Sequence, residues 1–168
     1  GLLEAQLADR RNAFFTLTNT RSMSPADAQT CIHNLADQLA HITENIDQPL
    51  DLLVRGDSTL RGHFPLELET VRSAFEERLG IRYDGVVLCP FFAEGGRVTA
   101  GDIHWVEESD MMRPVALTEF ARDTTFGYSR SHLAHWVEEK TGGAVRASDV
   151  LSISLEHIRQ QGPEGVCD

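Results

Sequence analysis

Between Leu50 and Leu79 the chain passes from a short apolar run to a polar loop and then to a helix, and this change of period constrains the fold more than any other feature. Leu50 to Val54 is apolar enough for a strand. Arg55-Gly56-Asp57-Ser58-Thr59-Leu60-Arg61-Gly62-His63 follows as a polar, glycine-bounded loop. Pro65 then opens a helix with Leu68, Val71, Phe75 and Leu79 on one face and Gly80 as its stop. The same order occurs upstream: Ala13 to Thr18 is β-rich and ends at Asn19-Thr20-Arg21. Ser24-Pro25-Ala26-Asp27 then supplies a cap, a proline at the first helical position and a first-turn acid, ahead of Ala28, Ile32, Leu35, Leu39 and Ile42 at helical spacing. Gln48-Pro49 separates the two units of pattern.

Downstream, Asp84 to Cys89 reads as a doubly covered strand, nearly continuous in apolar residues and ended by Pro90. Phe91 to Asp102 is a glycine-rich loop, and Ile103 to Val106 a short strand suited to a hairpin. Met111 to Thr125 is irregular. A third helix is expected over Ser131 to Lys140, ending at Gly142-Gly143, then a strand over Val150 to Ser154 and a last helical turn at Leu155 to Gln160. Strands alternating with helices predict an α/β fold: a three-layer sandwich with a mainly parallel, Rossmann-like sheet, incomplete at its N-terminus, in a single domain over residues 1–168. Gly1 to Arg11 is an amphipathic stub and Gly162 to Asp168 has no closing element, which reads as a piece of a longer chain.

Composition limits the partners. With 168 residues and 41% hydrophobic content the chain can bury a real core, and a net charge of −11 disfavours nucleic acid and anionic membrane as partners. Lys140 is the only lysine among 15 basic residues, so anion recognition falls to arginine forks. Cys31, Cys89 and Cys167 have neither disulfide-framework nor zinc spacing and read as reduced cytosolic thiols, with Cys89 in the core rather than acting as a nucleophile. No apolar run reaches membrane-spanning length and no leader opens the chain, so a cytoplasmic protein is expected.

Three polar strand ends would converge on one side of a parallel sheet: Asn19-Thr20-Arg21, Asp57 to Arg61, and Pro90 to Arg97. Arg61 offers a planar fork for a carboxylate or phosphate, with Arg55 and Arg97 as assistants. Asp57 accepts hydroxyl hydrogens or acts as a base, and Ser58 and Thr59 bond at short range. Gly62 lets the backbone come close. On these residues alone Asp57-Ser58-Thr59 fits a turn and helix cap equally well, and His63 fits either a ligand contact or a helix start. Gly95-Gly96 fits a flexible turn better than a phosphate cradle. His132 and His135 read as a solvated helix face, and no metal site is expected. No Gly-x-x-x-x-Gly-Lys-Ser or Gly-x-Gly-x-x-Gly loop occurs. Arg55-Gly56-Asp57 spells an adhesion tripeptide by chance.

With these motifs in place, the chain resembles the substrate-binding N-terminal domain of the four-carbon acid sugar kinases, over about Ala13 to Gly143. The resemblance lies in Thr18 to Pro25, in Asp57-Ser58-Thr59-Leu60-Arg61-Gly62, in Pro90-Phe91-Phe92 with Gly96-Arg97, and in Thr118 to Asp123. It implies a kinase that moves the γ-phosphoryl of ATP to a hydroxyl of threonate, erythronate or an oxo-tetronate. ATP with Mg would be held mainly by a C-terminal domain outside this chain, and no cofactor is expected for the chain alone. The implied substrate residues are Arg21, Arg55, Asp57, Ser58, Thr59, Arg61, Gly62, His63, Gly96 and Arg97, with Asp57 a candidate base. Arg55 stands where many relatives carry lysine, and His63 replaces a common asparagine. The family's opening Asp-Asp-x-Thr-Gly strand is not found here, so the isolated piece is expected to be inactive. A homodimer of the parent is left open. The rival readings are a stand-alone sugar-acid binding module, a hydrolase or isomerase complete in itself, and a domain without a ligand.

Overall fold

Ser24 starts the first helix as the sequence requires. Its Oγ accepts the Asp27 amide at 3.2 Å and donates to the Asp27 carboxylate at 2.7 Å, while Pro25 takes the first helical position, where its missing N–H costs nothing. In the computed structural model, which describes residues 13–44, 50 and 52–167, this helix, α1, spans Pro25–Thr43. The second, α2, spans Leu66–Leu79 and ends at Gly80, whose φ of 65° lets its N–H return to the Glu76 carbonyl. The Gly1 to Arg11 stub and Gln48-Pro49 lie outside the described residues.

Two compact units divide the chain, one of residues 1–56 with 62–87 and one of 57–61 with 88–168. The first is built on the α1–α2 pair. Ala36, Leu39 and Ala40 of α1 meet Ala74 and Phe75 of α2, with Phe14, Leu35, Leu50, Leu52, Val71 and Leu79 packed around them. The alanines let the helices approach closely enough to seal Phe75 completely. At the edge Arg78 reaches Asp37 at 2.7 Å and Glu44 at 3.2 Å.

The second unit contains an antiparallel meander of β1 (Arg97–Ala100), β2 (Ile103–Glu108) and β3 (Met111–Pro114), in that order. Arg97 pairs with Val106 and Trp105 with Pro114. Both turns place two residues at positive φ, Gly101 with Asp102 and Ser109 with Asp110, as hairpins of this twist need. Helix α3 (Leu133–Lys140) buries Ala134, Trp136 and Val137, and His104, Val106, Val115 and Thr118 are buried in the same unit. The chain continues through a π-helical turn at His157–Gln161 to the short helix α4 (Glu164–Cys167).

The mainly parallel, Rossmann-like sandwich expected from the sequence is not present. Among the described residues the sheet is the three-stranded antiparallel meander, and the runs 13–18, 52–54, 84–89 and 150–154 form neither strand nor helix. Apolar residues make a strand only where another backbone lies alongside, and these runs instead expose Leu17 (86%), Val87 (88%) and Leu151 (90%). Cys89 is exposed too, and not a core residue, because its run is uncovered. The strand at Ile103, both long helices and the helix after Ser131 agree with the sequence reading, whereas β1 lies inside the segment read as a glycine-rich loop. Among the described residues no helix is long and apolar enough to cross a membrane.

Candidate functional site

Asp57 is the centre of a tight turn. Its Oδ1 accepts the Thr59 amide at 3.2 Å, its Oδ2 accepts the Thr59 hydroxyl at 2.6 Å, and its carbonyl accepts the Leu60 amide at 3.0 Å. An aspartate that satisfies the amide two residues on is the local bond that drives such turns. Helix α2 has Pro65 at its N-cap and no side-chain cap, so Asp57-Ser58-Thr59 forms a turn without capping that helix.

Arg61 closes the turn. Its Nε donates to Asp57 Oδ2 at 2.7 Å and to Thr59 Oγ1 at 3.0 Å, and its Nη1 lies 3.6 Å from Asp123 Oδ2. Asp123 is itself fixed, its Oδ1 accepting the amides of Thr125 and Phe126 at 2.9 Å each. The Arg61 guanidinium carbon is 5.0 Å from the centre of the Phe120 ring, and the Arg97 guanidinium carbon is 5.8 Å from the same centre. Two cations therefore share one aromatic platform, each attracted by the ring quadrupole. Arg97 donates through Nη1 to the Gly95 carbonyl, while its buried Nε has no hydrogen-bond partner. A buried donor without an acceptor among the described residues is uncommon in a folded protein.

The backbone sets Arg97. Phe92 and Arg97 exchange backbone hydrogen bonds at 2.8 and 2.9 Å around the turn Ala93–Gly95. Gly96 completes it at φ 69°, with Glu107 Cβ 2.7 Å from where a Gly96 Cβ would stand. The turn needs glycine for shape rather than flexibility.

Burial alone would raise the Asp57 carboxyl, but the Thr59 hydroxyl and amide and the Arg61 guanidinium outweigh it and hold the group below 3.8. Burial lowers His104, and the positive charge of Arg97 adds to this against the Ser58 carbonyl, so His104 is neutral. Tyr128 is pushed up, chiefly by burial and then by the Asp57 carboxylate, and stays a phenol. The result is an ionised acceptor beside two guanidinium donors, a polar surface suited to a small hydroxylated anion.

Of the residues expected from the sequence, Asp57, Ser58, Thr59, Arg61, Gly96 and Arg97 belong to this unit. Arg21, Arg55, Gly62 and His63 belong to the helical unit, where Arg21 and Arg55 are exposed. His63 is buried there, its Nε2–H donating to the Thr20 carbonyl at 3.0 Å and its own carbonyl accepting the Glu67 amide at 3.0 Å. Sequence reading missed Phe120 and Asp123 as parts of the site, although both lie in the Thr118 to Asp123 string. It also missed His104 and Tyr128, buried residues without a motif.

Among the described residues no three His, Cys, Asp or Glu side chains converge as metal ligands, and the sequence carries no phosphate-cradling glycine loop of the two standard patterns. A family model described as a sugar-binding N-terminal domain matches residues 2–168. No curated protein and no solved structure matches the chain.

Proposed function

We propose that this chain, which belongs to the family of sugar-binding N-terminal domains, holds the substrate of an ATP-dependent kinase that phosphorylates a hydroxyl of a four-carbon acid sugar of the threonate, erythronate or oxo-tetronate type. The coarser statement, a sugar-binding domain, follows from the family itself. The observation that carries the finer one is the pair of guanidinium groups, Arg61 and Arg97, on the ring of Phe120. A guanidinium is a planar donor fork matched to a carboxylate, a group that a neutral sugar does not carry.

In this reading Arg61 and Arg97 bind the substrate carboxylate, while Asp57 and Ser58 orient its hydroxyls. Asp57 is a weaker base than an ordinary carboxylate because its ionised form is stabilised, so its part is to accept a hydroxyl hydrogen and fix direction. Phosphoryl transfer depends on positioning and charge stabilisation, and this chain supplies the positioning. ATP and Mg belong to the part of the enzyme that completes the site.

Steady-state kinetics on an enzyme carrying this domain, with ATP, Mg and a four-carbon sugar acid, test the reading. ADP and a sugar-acid phosphate form, and Arg61→Ala raises KM far more than it lowers kcat. Absence of ADP with every acid of this class defeats the kinase assignment, and binding without turnover favours a stand-alone module.

A further inference from the structure

We infer that His104 and Tyr128 are positioning residues of this site, gripping the consecutive carbonyls of Ser58 and Thr59 from two different segments and so fixing the spacing of Asp57 and Arg61. The inference rests on the binding reading above. His104, fully buried on β2, donates from Nε2–H to the Ser58 carbonyl at 2.7 Å. Tyr128, 7% exposed, donates its hydroxyl to the Thr59 carbonyl at 2.6 Å.

The local bonds of the Asp57 turn leave the Ser58 and Thr59 carbonyls to these two side chains, and the turn includes a residue in an unfavourable conformation. Leu60, next in the chain, sits at φ 62°, a region that a residue with a Cβ enters at a cost of about 1 kcal/mol or more. Its side chain is buried and its amide closes the turn to Asp57. No strand or helix includes residues 57–61, so the two side-chain donors stand where a ladder would otherwise hold the carbonyls.

His104 has a support of its own. Its Nδ1 is 2.9 Å from Thr99 Oγ1, which is also 3.0 Å from the Pro90 carbonyl. The ring therefore has a polar partner at each nitrogen, the Ser58 carbonyl at Nε2 and the Thr99 hydroxyl at Nδ1, and the single Thr99 hydrogen is shared between Nδ1 and the Pro90 carbonyl. A binding group must be held to within about 0.5 Å by its supporting shell, and displacing Ser58 or Thr59 carries Asp57 and Arg61 with it.

Calorimetric titration of an enzyme carrying this domain with threonate and erythronate, together with ligand-free amide exchange of the domain, tests this. Tyr128→Phe is expected to weaken binding by about fivefold to tenfold in folded protein and to speed exchange at Thr59 and Leu60, with β2 amides unchanged. His104→Leu does the same, and His104→Gln, which keeps an N–H where Nε2 stands, recovers most of the affinity. A purely structural role would lower Tm and leave the affinity of the folded fraction alone. Wild-type affinity in folded Tyr128→Phe and His104→Leu overturns the proposal. So does exchange of Thr59 and Leu60 in the wild type as fast as in an unstructured chain, a result that needs no variant to fold. Failure of the wild type to bind either acid defeats the sugar-acid reading, and the exchange measurements then decide the clamp by themselves.

Discussion

The guanidinium carbon of Arg61 stands 5.0 Å from the centre of the Phe120 ring. Phe120 is therefore the surface against which this arginine is aimed, and Arg97 uses the same surface. Phe120→Leu keeps apolar volume and removes the quadrupole. Sugar-acid affinity is expected to fall about threefold to fivefold, in line with a partly exposed cation–π pair of about 0.5–1 kcal/mol, with little change in Tm. Titration calorimetry beside a melting curve separates the two effects.

Asp57 gives an acid-side signature. Its folded pKa lies below the unfolded 3.8, so its contribution to stability is complete above that value and is lost as pH falls through the lower folded pKa. Asp57→Asn should lose stability at neutral pH and lose less than the wild type on acidification below about pH 4, which a Tm series against pH records.

His104 titrates with the opposite chemistry and the same slope. Its folded pKa is below 6.5, so the unfolded chain binds more protons near pH 6 and stability rises with pH until the unfolded imidazole is also neutral. In His104→Gln the difference from wild type carries the missing slope, because the other histidines are common to both proteins. Denaturant unfolding at several pH values between about 5 and 8 measures it.

Phe75 tests the helical unit. It has no exposed surface and is walled by Ala36, Leu39, Ala40 and Ala74. Phe75→Ala is expected to cost about 3–5 kcal/mol, enough to unfold a marginal unit, as chemical denaturation would show.

How far the sequence could be read depends on the range of the interactions involved. The cap at Ser24, the stop at Gly80 and the apolar spacing of α1 and α2 are local, and each is found where the residues place it. The first hairpin is half legible: the strand at Ile103 is read, but β1 is hidden in the glycine-rich run that ends at Gly101. β3 is not legible, because its turn puts Ser109 and Asp110 at positive φ, without the glycine that signals such a turn. The runs at 13–18 and 84–89 mislead because an apolar stretch states what it must pair with and not whether the partner is there. In the site, Asp57, Arg61 and Arg97 announce themselves by charge. Tyr128 reaches Thr59 across 69 residues, and His104 reaches Ser58 across 46, which no local pattern encodes.

The most direct test of the central claim is calorimetry of an enzyme carrying this domain, wild type and Arg61→Ala, with erythronate, threonate and the neutral four-carbon polyol erythritol. The account predicts that the wild type binds an acid and not erythritol, and that Arg61→Ala loses the acid while remaining folded. Equal binding of acid and polyol, or unchanged acid binding in Arg61→Ala, would contradict it.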